Sequence, residues 1–117
     1  MSLETDLYTA LQALASGRMY PDVAPEGTAL PYITYQQIGG QGVNFLDPTV
    51  PSKKNARLQI NVWAGTRLAA ANLARSIEDT LRGATSLQAS VLGALTSLHE
   101  PDTGLYGTRQ DFSIWHS

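Results

Sequence analysis

Hydrophobic and polar residues alternate most cleanly between Lys53 and Trp63. In an extended chain, Ala56, Leu58, Ile60 and Val62 fall on one side, and Arg57, Gln59, Asn61 and Trp63 on the other. A second alternating run closes the sequence. There Tyr106, Thr108, Gln110, Phe112 and Ile114 share one side, while Leu105, Gly107, Arg109, Asp111, Ser113 and Trp115 share the other. At the other end, Leu3, Leu7, Leu11 and Leu14 recur at helical spacing and predict a helix over 3–15. Ser2 is its expected N-cap, Glu4 and Asp6 suit the positive end of the helix dipole, and Gly17 is the expected left-handed cap.

The segments between these runs complete the outline. Residues 18–23 predict a short extended piece, and 22–27 a loop rich in proline and glycine. Residues 31–38 carry the β-branched and aromatic content of a strand, with Pro31 at its first position. The connection 39–52 holds Gly39, Gly40, Gly42, Pro48 and Pro51 and is expected to be flexible. A second helix is predicted over 66–82, capped by Thr66 and ended by Arg82 and Gly83. Its expected buried face is Leu68, Ala69, Asn72, Leu73, Ile77, Thr80 and Leu81. Strands over 86–99 and 104–116 follow, joined by a turn at Glu100–Gly104. The order α-β-β-β-α-β-β predicts one α+β domain over 1–117, with one mainly antiparallel sheet and two helices packed on one face.

Composition narrows the partners. At 117 residues the chain can bury roughly two-thirds of its unfolded surface and stand without staples. It has no cysteine, which excludes disulfides, thiolate metal sites and thiol nucleophiles. Formal charge is −2, and only Lys53, Lys54 and Arg57 cluster among the basic residues. Direct nucleic-acid binding, which needs a concentrated basic face, is not expected. The first residues lack a secretory leader's basic start and apolar run, and no apolar stretch approaches the ~20 residues needed to span a bilayer. A soluble protein without membrane partners is expected.

Catalytic chemistry finds no pattern to support it. His99 and His116 are the only histidines, and Glu100, Asp102 and Asp111 lie near them without metal-ligand spacing. No serine sits in a GxSxG elbow, and Gly39-Gly40-Gln41-Gly42 follows a strand without the GK[ST] and helix of a phosphate loop. No catalytic, cofactor or metal residues are therefore assigned, and a non-enzymatic role is expected. The distinctive residues instead lie on strand faces that the helices are expected to leave uncovered. Arg57, Gln59, Asn61, Trp63, Arg109, Asp111 and Trp115 are the candidate protein-interface residues, because arginine and aromatic side chains carry much of interface energy.

Three blocks carry a family resemblance. The first is Gly17-Arg18-Met19-Tyr20-Pro21 with Val23-Ala24-Pro25 and Leu30-Pro31-Tyr32-Ile33-Thr34-Tyr35. The second is Ala56 to Ala64 followed by an alanine-rich helix, and the third is Glu100 to Tyr106 with Asp111-Phe112-Ser113-Ile114-Trp115. In that order and spacing they resemble the small tail-completion or tail-terminator proteins of long-tailed bacteriophages and prophages. Where that family carries aliphatic residues, this chain has Thr108 and Gln110. The resemblance implies a structural virion protein that forms a ring, hexameric on assembly, at the head-proximal end of the tail. Its partners would be further copies of itself, the tail tube and the head connector, with assembly in the host cytoplasm. The competing reading is a stand-alone, non-catalytic binding adaptor of the same fold.

Overall fold

The computed structural model describes residues 3–117, so the expected cap at Ser2 lies outside the described residues. Helix α1 spans Leu3–Leu11 and tightens into a 3₁₀ turn at Gln12–Ala15. Strands β1 (Met19–Pro21), β2 (Tyr32–Gln37) and β3 (Lys54–Ala64) precede helix α2 (Arg67–Gly83). Strands β4 (Ser90–Val91), β5 (Thr96–Glu100) and β6 (Leu105–His116) complete the chain. One sheet runs β1-β2-β3-β6-β4, with β5 also paired to β6. Among the described residues, only the β1–β2 pairing is parallel.

The predicted inward faces hold. Ala56, Leu58, Ile60 and Val62 on β3, and Thr108, Gln110, Phe112 and Ile114 on β6, are all buried. The β3–β6 register sets Leu58 opposite Phe112 and Ile60 opposite Gln110, so the two long strands share one buried face. Leu3, Leu7 and Leu11 of α1 join the same core from above.

Helix α2 differs from expectation in rotation. Its buried stripe is Ala70, Leu73, Ala74, Ile77 and Leu81, while Leu68 is 70% exposed and Ala69 and Asn72 also face outward. Two contacts set that rotation. The Thr66 hydroxyl accepts from Ala69 N–H, as the cap prediction required. Arg67 then donates to the carbonyls of Gly107 and Leu98, both at 2.7 Å, which face each other in the β5–β6 pair. With Arg67 held toward the sheet, the residues three and seven positions later, Ala70 and Ala74, must face it too. Their small side chains permit close approach, which outweighs the larger apolar area of Leu68.

Helix ends also depart from the sequence reading. The left-handed position after the first helical segment begins at Ser16, with Gly17 following at φ +80°. Gly83 is the last helical residue of α2, and its cap is an extended Ala84. The predicted strand 86–99 is not continuous: Thr85–Gln88 form a turn, and Leu92–Leu95 separate β4 from β5. A buried amide explains the interruption. Gln110 faces the apolar core and needs acceptors, and its Nε2 donates to Gly93 O and Glu78 Oε1, both at 2.8 Å. The chain bows around Gly93 to bring that carbonyl within reach.

Candidate functional site

The face of the sheet opposite the helices is open, and its cross-strand rows follow from the register. One row is Tyr32–Trp63–Gly107–Leu98; the next is Tyr20–Thr34–Asn61–Arg109–Thr96. Gln36–Gln59–Asp111 comes third, and Arg57–Ser113–Ser90 fourth. All seven candidate interface residues therefore share one surface, since β3 and β6 are hydrogen-bonded neighbours with matching alternation. That convergence was legible in two separate alternating runs.

Their environments differ from a simple solvated face. Neither tryptophan stands free. Trp63 lies across Gly107, where an added Cβ would come within 2.7 Å of its ring, so the missing side chain is what lets the indole sit flat. Trp115 is half-buried, and its backbone N–H donates to Leu87 O. Arg57 pairs with Asp111 at 2.8 Å, with side chains 51% and 22% exposed. An exposed pair of this kind stabilises by about 0–1 kcal/mol, so its main effect is to neutralise two charges on the surface. Arg109 is exposed and makes no ion pair among the described residues. Asn61 Oδ1 is shielded from solvent and has no hydrogen-bond donor among the described residues.

The lower end of this face is sealed by a residue that sequence reading passed over. Asn55 is 8% exposed; its Nδ2 donates to Ser113 Oγ at 2.8 Å, and its Oδ1 accepts from Gln41 N–H at 2.8 Å. Beside it, Gly40 runs so close to Asn55 O that a Cβ would lie 2.2 Å away. Arg57 N–H donates to Gly39 O, and Ile38 N–H to Arg57 O. The root of the 39–52 connection is thus tied to β3. Beyond it, Phe45, Leu46 and Val50 project into solvent. The signal for Asn55 was its position, a polar residue one step before the inward Ala56, but alternation alone cannot show that an amide is covered by a loop.

Glu78 offers a measurable electrostatic signature. The hydrogen bond from Gln110 holds its carboxyl below the ordinary value of 4.5, with Arg82 adding in the same direction and burial opposing. A depressed folded-state pKa means that the ionised form stabilises the fold above the unfolded value, and that this contribution is lost as pH falls through the folded value. Glu78→Gln is therefore less stable than the parent near neutrality, and the gap closes as pH drops below about 4.5. Urea titrations of both proteins between neutral and acid pH check this. A gap that stays constant down the whole range would show that Glu78 ionisation is not coupled to folding.

Among the described residues, no three His, Asp or Glu side chains gather as metal ligands. His99 instead packs against Tyr106, ring centroids 4.6 Å apart, and Arg67 lies 5.2 Å over the same tyrosine ring. No helix is long and apolar enough to cross a membrane among the described residues.

Comparison with known proteins adds two findings. The fold is shared with a chain in a solved structure described as "Virion of native gene transfer agent (GTA) particle", at a TM-score of 0.55 and 14% identity, covering 97% of this chain and 93% of that one. No curated protein matches. The family model described as "Tail completion protein gp17" matches residues 7–117, a range that includes every strand of the sheet. The chain belongs to the gp17 family of tail completion proteins, and it is a structural protein of the phage tail.

Proposed function

We propose that the protein forms a ring, hexameric on assembly, that closes the head-proximal end of the tail tube and joins it to the head connector. The observation that carries this reading is the sheet's two unlike edges. One ends in the three residues of β1, the other in β4 and the five residues of β5, interrupted at Leu92–Leu95. A ring needs one surface of each subunit to meet a different surface of the next, and unlike edges on a shared sheet supply such a pair. The open face adds Arg57, Gln59, Asn61, Trp63, Arg109, Asp111 and Trp115 as residues that meet tail or connector proteins. Of these, Arg109, exposed and without an ion pair among the described residues, has most to gain from a partner. The role is architectural and non-catalytic, with assembly in the host cytoplasm. Beyond its root at residues 39–41, which β3 holds, the connection to residue 52 is mobile in the free subunit and ordered on assembly.

Electron microscopy of tails made without this gene tests the reading. Overlong or headless tails are expected, along with loss of a ring of density at the head-proximal end. Normal tails carrying heads would overturn it.

A further inference from the structure

Charge is unevenly placed along the open face. At its upper end, the turn between β5 and β6 carries Glu100 and Asp102, both exposed and without an ion pair among the described residues. Glu26 lies beside that turn and lines a hollow with Thr103 and Tyr32. After burial, the charge of Glu100 is what raises the Tyr32 phenol above its ordinary range. Arg18 and Arg67, the basic residues of this end, are half-buried and donate to the carbonyls of Pro31, Gly107 and Leu98. The exposed tip is therefore negative. It is also stiff: Gly104 N–H donates to Glu100 O at 2.8 Å, Gly104 takes φ +70°, and Pro101 fixes its own φ.

The lower half of the face has the opposite character. Arg57, between Ile38 and Leu92, lines an open trough of about 450 Å³, within the roughly 300–1,000 Å³ of clefts that hold ligands. The trough runs on into a hollow that Arg57 and Leu92 share with Arg109 and Asp111. Asp111 is spent on Arg57, which leaves the charge of Arg109 unanswered. Asp47, further along the connection, turns its Oδ1 to Thr49 N–H. Ile38 and Leu92, 41% and 48% exposed, give the trough apolar rims, and bonds from Gln41 and Gly39 to Asn55 and Arg57 fix its wall. A subunit's tip lies far from its own Arg57. Leu105, opposite Glu100, and Ser113, opposite Arg57, stand eight residues apart on β6, roughly 27 Å at about 3.4 Å each.

We infer that the Glu100–Gly104 turn of one copy of this chain seats in the Arg57–Arg109 trough of a second copy. Its carboxylates meet the two arginines, and Pro101 meets the Ile38 and Leu92 rims. This rests on the ring reading and names a contact between neighbouring subunits. Two unlike surfaces of one chain meet, as a head-to-tail contact requires, and both are already shaped, which limits the freedom lost on docking. Arg57, Arg109 and Asp111 then serve the neighbouring copy, and Trp63 and Trp115 are left for tail or connector proteins.

Charge reversal tests the contact. Arg109→Glu, and separately Glu100→Lys with Asp102→Lys, are each expected to weaken self-association at least tenfold in sedimentation. Melting midpoints should hardly move, because all three side chains are exposed. Mixing the two proteins should restore association, since each tip then finds a trough of opposite sign; misfolded variants could not recover in this way. Self-association of the parent should also weaken as salt is added. Variants that form rings as readily as the parent, or that stay apart when mixed, would overturn the contact and leave the ring standing. Recovery only on adding purified tail tube protein would give the trough to that partner and overturn it too. A parent chain that stays monomeric at every concentration reached would also overturn it, while the gene-deletion test of the tail role stays independent.

Discussion

Phe112→Ala lowers the unfolding free energy by roughly 3–5 kcal/mol, the largest single loss expected from one side chain here. Phe112 is 0% exposed and faces Leu58 across the central β3–β6 pair. The space it shares with Ile60, Ala74, Ile77 and Gln110 leaves no void that admits a water. Truncation therefore removes transfer free energy and also opens a cavity that long, mutually paired strands cannot collapse to fill. Leu58→Ala and Ile60→Ala belong to the same class at roughly 2–5 kcal/mol. Small domains have about 5–15 kcal/mol in all, so Phe112→Ala brings the fold near its limit. Urea denaturation should show the midpoint fall with an unchanged slope. Leu68→Ala is the matched control: Leu68 is 70% exposed, and its loss should change stability by less than about 0.5 kcal/mol. Equal losses at Leu68 and Phe112 would contradict the assigned interior.

Gly107→Val carries the second large effect, and its sign runs against intrinsic preference. In a strand, replacing glycine by a β-branched residue ordinarily helps, because glycine is destabilising there by roughly 0.5–1 kcal/mol. At this position an added Cβ would lie 2.7 and 2.8 Å from Trp63 ring carbons and 2.8 Å from Val62 O. The indole can swing away, but the carbonyl is backbone in the central pair and has little freedom. Overpacking of this kind costs roughly 1–3 kcal/mol, and the branched valine should lie at the upper end. Two tryptophans are present, so fluorescence in a Trp115→Phe background isolates Trp63. Its emission should shift toward the solvent-exposed range as the ring leaves the sheet. Adding Trp63→Ala should recover part of the loss, but not the part due to the carbonyl, and a double-mutant cycle separates the two. A Gly107→Val protein more stable than the parent would overturn the account.

The second case bears on function as well. Trp63 is held on the open face by a residue with no side chain, so the aromatic surface proposed to meet partners is pre-shaped rather than loosely exposed. Disturbing Gly107 should therefore impair assembly through the position of Trp63, even where the fold survives.

Much of this was legible in local pattern. Alternation in 53–63 and 105–115 identified both central strands and their inward faces, because side chains of a strand alternate whatever it pairs with. The leucine stripe located α1, and Thr66 was a sufficient start signal for α2, since a cap satisfies backbone donors within one turn. The seven open-face residues were identified because both runs share the same period. Other features depended on partners far away in the chain. The split between β4 and β5 is imposed by Gln110, 17 residues beyond Gly93. The rotation of α2 is set by Arg67 reaching Leu98, 31 residues on. The covering of Trp63 depends on a glycine 44 positions later that becomes its neighbour only when β3 and β6 pair. Periodicity records which side of its own element a residue occupies; what lies against that side is settled only when distant segments pack.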